Sequence, residues 1–425
     1  MSLVVHQVIG GAGPYDAITN QALRFRRLFD RWGWGGTDAA VHIDPRMTSK
    51  FVPMRSLVPH PDEVIFTQYS AYTPGLRDLL EDHGRSLVLC QNITPPEWFW
   101  QYDPLTALQC YLGRRDAERV MGAATVPAGA SRYTAEEFGA DTVIPILFEA
   151  ERYGRRGELR EPAPAGGEVL FVGRLCPHKR HDSLVRAVAL LRARHRPDAT
   201  LRIIGEPVND HYGAMVQELG ERLLGDAFTW ERGLTQEELA DRYRGADALC
   251  CMSEHEGFCV PILEAFHYGL PVVGRPSGGV AEVAGDAALL TADEDLGVVA
   301  ALLDTVLGDR ELRAELLERG RRRLVAYDET TTAGPRTGAG GSAPPGRAQA
   351  DRRPPGGRRR ASGPDDPPPA GTLGACAAAT PPPDSRPSST RASTPRRRSS
   401  ARPWAATTSR RASRSGWSSA RRTAS

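Results

Sequence analysis

Short apolar runs alternate with amphipathic stretches along most of this chain, and that alternation restricts the fold more than any other feature. Residues 4–9, 64–67, 87–90 and 125–127 are short and apolar enough for buried strands, with helix-like stretches between them. The rhythm resumes after a charged, Pro-rich passage: strand-like 168–172, helix-like 182–193, strand-like 201–204, helix-like 211–224, strand-like 248–251, helix-like 260–268 and strand-like 271–273. Strand–helix–strand repeats build parallel sheets, because a parallel neighbour is reached only through a crossover, usually a helix. The chain is therefore expected to be α/β, with two doubly wound Rossmann-like domains facing each other across a cleft at the carboxyl ends of their strands. The expected divisions are an N-terminal domain over 1–150, a linker over 151–167, a C-terminal domain over 168–327 and a tail over 328–425.

Composition changes abruptly after Tyr327. Leu373 is the only Leu beyond it, Val, Ile, Met and Phe are absent, and Arg, Pro, Ala, Gly and Ser dominate. Such a segment lacks the apolar area to offset its ordering entropy and is expected to be disordered. Two readings of it stay open. Its Arg clusters at 358–360 and 396–398 suit a tether to an anionic partner, whereas its common residue types, all with GC-rich codons, suit a shifted reading frame. From Thr331 onward 18 Arg face 4 Asp, a net of +14, which leaves −12 on residues 1–330 of a chain that totals +2. An acidic body argues against nucleic acid as a partner, because phosphate binding needs a basic face.

The seven Cys form no CxxC pair and sit mostly inside apolar runs. They read as reduced, buried thiols, which implies a cytoplasmic protein. The first nine residues lack the length and basic flank of a signal peptide, and no apolar run approaches the roughly 18 residues of a membrane span. Any membrane contact is expected to be peripheral, at the inner face.

The strongest local signal is Ser253-Glu-His-Glu-Gly-Phe-Cys-Val-Pro-Ile-Leu-Glu-Ala265, which follows one apolar run and enters a helix-like one. Pro261 suits the first turn of that helix. Glu256 then lies in the loop at the helix N-terminus, and Glu264 about one turn inside. Backbone N–H groups near Gly257, Phe258 and Cys259 would face the same space, where a helix start favours an anion. That spacing suits one nucleotide-sugar, with sugar or phosphate near Glu256 and the ribose diol near Glu264. The competing reading of two such Glu, a solvated helix face, is weakened by the strand, Gly turn and helix around them.

Complementary charge comes from Phe171-Val-Gly-Arg-Leu-Cys-Pro-His-Lys-Arg180. Lys179 and Lys50 are the only Lys among 54 basic residues. A chain that otherwise uses Arg keeps a compact, mobile ammonium here, as a diphosphate would want. Arg174 and Lys179, following Gly173 at a strand end, read together as a diphosphate clamp.

With these motifs, residues 4 to about 326 resemble the family 4 glycosyltransferases of GT-B fold. Glu256 and Glu264 match that family's E-x7-E motif, and Gly173, Arg174 and Lys179 match its phosphate-binding loop. Further matches are Gly205 after 201–204, and Pro276-Ser-Gly-Gly-Val-Ala-Glu282 ahead of Gly285. The resemblance implies that the N-terminal domain takes the acceptor and the C-terminal domain a nucleotide-diphosphate sugar. It further implies that Glu264 binds the ribose, that Glu256 contacts the transferred hexose, and that Arg174 and Lys179 stabilise the leaving diphosphate. Transfer would go to a glycan, lipid or small-molecule acceptor with retention. No cofactor is expected, and no metal either: no DxD ends a strand, and Asp293-Glu-Asp295 reads as helix capping.

The N-terminal half is less specific. Gly10-Gly-Ala-Gly13, which includes Gly11, follows the first apolar run and reads equally as a tight turn or a substrate loop. Asp16 and Asn20 match positions usually kept by one bacterial branch of the family, and ordinary helix capping accounts for them as well. Cys90-Gln-Asn-Ile-Thr-Pro-Pro96 closes a strand and opens a cleft-facing loop. Gln91 stands where that branch commonly has His, so it can hydrogen-bond a sugar hydroxyl but cannot take its proton. Asn92 lies beside it, and its glycosylation sequon is read as chance. Tyr69, Trp98, Phe99 and Trp100 suit either sugar stacking or domain packing, and His255 either the donor or a backbone-satisfied helix start. Two alternatives to transfer stay open, a GT-B nucleotide-sugar epimerase and a non-catalytic nucleotide-sugar binder.

Overall fold

The computed structural model describes residues 2–14, 16–161 and 164–328, so the tail and every reading attached to it lie outside the described residues. Seven parallel strands form the N-terminal sheet: β1 (Val5–Ala12), β2 (Asp38–Ile43), β3 (Val52–Pro53), β4 (Val64–Tyr69), β5 (Ser86–Cys90), β6 (Val126–Gly129) and β7 (Thr142–Val143). Their order is β3-β2-β1-β4-β5-β6-β7. Six parallel strands form the C-terminal sheet: β8 (Gly166–Val172), β9 (Asp198–Ile204), β10 (Phe228–Glu231), β11 (Ala248–Cys251), β12 (Val272–Gly274) and β13 (Ala288–Leu290), in the order β10-β9-β8-β11-β12-β13. Both sheets reverse direction of growth beside their first strand, the doubly wound arrangement of a GT-B protein. Helices cover both faces, so central strands such as β11 are buried along their whole length.

Several strands escape detection in the sequence for a physical reason. β2 opens on Asp38, a buried carboxylate held by Arg26 at 2.7 Å and by Gln7 Nε2 at 2.8 Å, so no apolar run announces it. β3 and β7 are two-residue edges, and β10 is a half-buried edge of mixed polarity. Other boundaries shift. β1 extends to Ala12, which places Gly10 and Gly11 inside the strand rather than in a turn after it, and neither they nor Gly13 has a positive φ. The 125–127 strand becomes Val126–Gly129, and β8 begins at Gly166.

The passage expected to be a linker is not free. Gly157 donates its N–H to His267 O at 3.0 Å, and a Cβ on it would sit 1.7 Å from Tyr268 O, so the chain lies flat against the end of helix Val260–His267. The last described helix, Arg310–Tyr327, packs on that same helix, and Phe148 N–H donates to Tyr327 O at 2.9 Å. The described chain thus ends where it meets the start of the interdomain passage. Asp295 caps helix Leu296–Gly308 by accepting from Gly297 N–H at 2.8 Å, the role read for it. No helix among the described residues is long and apolar enough to cross a membrane.

Candidate functional site

The exit from β8 is held by the exit from β9. Gly173 N–H donates to Ile204 O at 2.9 Å, and Leu175 N–H to Glu206 O at 2.8 Å. Gly205 has φ +150°, and a Cβ there would lie 2.0 Å from Gly173 O, so only glycine lets the two loops run together. Beyond them a single 3-10 turn, Pro177–Lys179, aims the Lys179 side chain back toward the end of β11.

There Lys179 Nζ pairs with Glu256 Oε1. Ser253 Oγ donates to the same oxygen at 2.7 Å. Lys179 is not the mobile cation expected: its side chain is 18% exposed. Burial disfavours its charge, but the neighbouring Glu256 carboxylate outweighs that and raises its pKa above the usual lysine range. Removing either partner would leave a buried charge uncompensated, a cost of about 3–5 kcal/mol.

The Glu256–Gly257 backbone is clamped from the loop after β12. Ser277 Oγ donates to Ser253 O, and Gly279 N–H donates to Glu256 O at 2.8 Å. A Cβ on Gly278 would lie 2.1 Å from Glu256 O, and one on Gly279 2.3 Å from Gly257 O, which accounts for the Ser277-Gly278-Gly279 run. Cys259 caps helix Val260–His267 at φ +76°, and Pro261 stands in its first turn. The N–H groups of Gly257 and Phe258 find no acceptor among the described residues, so the helix start presents open donors beside the Lys179–Glu256 pair.

The other two donor-side residues behave differently. Arg174 is exposed and makes no ion pair or hydrogen bond at contact distance among the described residues, and its positive charge acts on the Asp103 carboxylate of the N-terminal domain. Glu264 faces inward: Tyr243 Oη donates to its Oε2 at 2.6 Å, and the Tyr153 hydroxyl also bonds it. Burial raises the Glu264 pKa, opposed by those two hydroxyls. Tyr153 in turn accepts from Arg24 Nη2 at 3.2 Å, so the second motif carboxylate is tied through the interdomain passage to helix Ala17–Arg31.

From the N-terminal domain, Gln91 and Asn92 close on this site. A Cβ on Gly257 would lie 2.5 Å from Asn92 Cβ and 2.8 Å from Gln91 O, so Gly257 is required by the domain contact. Gln91 Nε2 donates to Gln68 Oε1 at 3.1 Å, and Asn92 adopts φ +80° while its Oδ1 accepts from Ile93 N–H at 2.7 Å. Thr134 Oγ1 reaches Gly257 O at 3.4 Å, and Arg132 N–H donates to Glu282 Oε2 at 2.7 Å, further ties across the cleft. Asp16 is the N-cap of helix Ala17–Arg31, accepting from Thr19 N–H at 2.7 Å, and Asn20 donates its N–H to Asp16 O at 3.0 Å. Above Gly11 the space is open, with only His42 O 4.0 Å from a Cβ.

The aromatic residues divide between packing and surface. Tyr69 is fully buried with its hydroxyl on Gly113 O at 2.8 Å, and Phe99 is buried edge-on against His178. Trp98 lines a separate interdomain cavity of about 510 Å³ with Tyr102 and Arg180, while Trp100 is exposed. His255 makes no hydrogen bond through Nε2 among the described residues. It is buried, its Nε2 lies 4.0 Å from Glu137 Oε2 of the other domain, and burial lowers its pKa. Ser253, Ser277, Tyr153 and Tyr243 carry roles that sequence patterns do not show, since each depends on a partner set by the fold.

Comparison with known proteins bears on the family and the fold. Residues 162–323 match the family model for glycosyl transferases group 1. The chain is 33% identical over 186 residues to the D-inositol 3-phosphate glycosyltransferase of Jonesia denitrificans, covering 40% of this chain and 42% of that protein. It is 35% identical over 190 residues to the MMP alpha-(1->4)-mannosyltransferase of Mycolicibacterium hassiacum, covering 43% of each. The chain thus spans less than half the length of these relatives. The fold is similar to that of HepE from Anabaena, solved in complex with UDP-glucose, at a TM-score of 0.58 and 16% identity over 77% of this chain and 96% of that one.

Proposed function

We propose, from the premise that the C-terminal domain is a group 1 glycosyl transferase domain, that the chain transfers a hexose from a nucleotide-diphosphate sugar to a hydroxyl acceptor with retention of configuration. The observation that carries this reading is the convergence of Lys179, Glu256 and the open N–H groups of Gly257 and Phe258 at one helix start, facing Gln91 and Asn92 across the cleft. Departure of a nucleoside diphosphate builds negative charge on phosphate oxygens. Arg174, Lys179 and the helix N-terminus place positive charge where that negative charge grows.

Glu256 contacts the transferred sugar, and its pairing with Lys179 holds it in place until the donor arrives. Glu264 holds the ribose through the oxygen that its tyrosine partners leave available. Gln91 orients a sugar or acceptor hydroxyl and exchanges no proton, so the departing phosphate oxygen is the base that the acceptor hydroxyl meets. Two cations and a helix start support reaction without a metal. The names of the relatives, one acting on D-inositol 3-phosphate, support a phosphorylated polyol or a related glycan or lipid as acceptor. Six free, buried thiols among the described residues support a cytoplasmic setting.

The decisive experiment is a panel of UDP-, GDP- and ADP-sugars followed by nucleoside diphosphate release, with and without chelator. Ligand stabilisation in a thermal shift identifies the donor. Donor binding with no diphosphate release in the presence of acceptors would leave a binder, and conversion of donor to an epimer would leave an epimerase.

A further inference from the structure

Around the proposed donor residue Glu256 lies a cluster whose two thiols transfer does not use. Cys251 Sγ, at the end of β11, stands 3.7 Å from Cys259 Sγ, at the cap of helix Val260–His267. Both are buried, and a Glu256 carboxylate oxygen lies within 4.8 Å of both sulfurs. A cavity of about 10 Å³ opens among Lys179, Cys251, Glu256 and Cys259, the size of a single small sphere. We propose that Cys251, Cys259 and Glu256 form a binding site for one soft divalent cation of the zinc class.

Three observations point the same way. Two sulfurs bound at about 2.3 Å to one tetrahedral zinc ion lie roughly 3.8 Å apart, which is the separation found here without movement of either strand or helix. Cys259 holds a left-handed backbone at φ +76°, a conformation that disfavours any side chain, and strain of this kind persists where the side chain has a task. Charge also balances. The cluster now holds Lys179 as an ammonium, Glu256 as a carboxylate and two thiols; entry of one divalent cation forms two metal–sulfur bonds and one metal–oxygen bond while two thiol protons leave to solvent. Net charge in the buried space is unchanged, so no new uncompensated charge is created. Ser253 Oγ, 3.4 Å from Cys251 Sγ and 2.7 Å from Glu256 Oε1, or a water fills the fourth position.

Occupation would engage Glu256 in the metal and withdraw it from sugar, so zinc would inhibit the transfer proposed above. That consequence rests on the transferase reading, whereas binding itself does not. The test therefore reads binding: the full chain, reduced with a phosphine and freed of metal, is titrated with Cd²⁺ under argon. The expected result is one Cd²⁺ per chain, an ultraviolet thiolate-to-cadmium band, two protons released per ion, and the same band appearing with release of one Zn²⁺ when Cd²⁺ is added to a zinc-loaded chain. Cys251→Ser and Cys259→Gly each lose the band, and Cys110→Ser, on helix Pro104–Ala123 of the N-terminal domain, keeps it. Cys259→Gly suits the left-handed backbone, so it tests the site even if Cys251→Ser fails to fold. No band in the wild-type chain at saturating Cd²⁺, or a band that survives Cys259→Gly in a folded protein, overturns the proposal.

Discussion

The two sheets share one winding pattern but arm their strand ends in opposite ways. In the N-terminal domain the ends of β1 and β5 carry Gly11, Gln91 and Asn92, all neutral, and the last two meet Gly257 of the other domain. In the C-terminal domain the ends of β8 and β11 carry Arg174, Lys179 and Glu256. The same topology therefore supplies shape and neutral hydrogen bonds from one side and fixed charge from the other. Under the proposed transfer, the charged side would meet the half of the substrate whose charge changes, because a fixed field helps only where charge develops.

The largest expected effect falls on that charged side. Lys179→Ala and Glu256→Ala should each lower turnover about 10²–10³-fold, the effect of losing one fixed electrostatic contact to a developing oxyanion. Steady-state kinetics with the identified donor would check this, and turnover within a few-fold of wild type would break the contrast between the domains. Gly205→Ala should destabilise by about 3 kcal/mol, since its Cβ would clash with Gly173 O at 2.0 Å on a backbone that disfavours side chains. Gly11→Ala, over open space, should change stability by no more than about 0.5 kcal/mol. Denaturant melts of the two variants side by side would sharpen the comparison.

Acid should weaken the C-terminal domain. Burial, aided by the nearby Lys179 charge, holds His178 well below the ordinary value of 6.5 and His181 at about 3. Both stay neutral when folded but take up a proton when unfolded, so stability is intact above pH 6.5 and falls as pH drops below it. At one unit below that value each contributes a loss of about 1.4 kcal/mol. A melting temperature that stays level from pH 7 to pH 5.5 would contradict this, and His181→Phe should flatten the slope. On the neutral side, Gln91→Ala should cost about 1 kcal/mol of transition-state stabilisation, roughly tenfold or less in kcat/KM, with no change in the pH profile. The smallest effect expected is a gain: Cys259→Gly should stabilise the metal-free chain by about 1 kcal/mol by relieving its left-handed backbone.

Legibility differs between the domains for the same reason that their chemistry does. The C-terminal half is readable because its candidate residues sit close together in sequence: Glu256, Gly257, Phe258, Cys259 and Glu264 belong to one strand–loop–helix unit, and Gly173, Arg174 and Lys179 to another. The N-terminal half scatters its candidates. Gly11 lies in a strand that outruns its apolar run, and Asp16 is spent on capping, so neither pattern carries a functional signal by itself.

From the sequence alone follow the α/β class, the two runs of alternating strand and helix, the helix that starts soon after Glu256 and the basic loop after β8, because hydrophobic period, a Pro in the first turn and Gly at strand ends act over a few residues. Only the tertiary structure decides that Lys179 is a buried partner of Glu256, that Glu264 answers to Tyr243 and Tyr153, that Gly257 is pressed between Gln91 and Asn92, and that Cys251 meets Cys259. Those pairings join loops from separate crossovers or from opposite domains. Their distances depend on how helices of given length pack on twisted sheets and how the domains close, which no local pattern encodes.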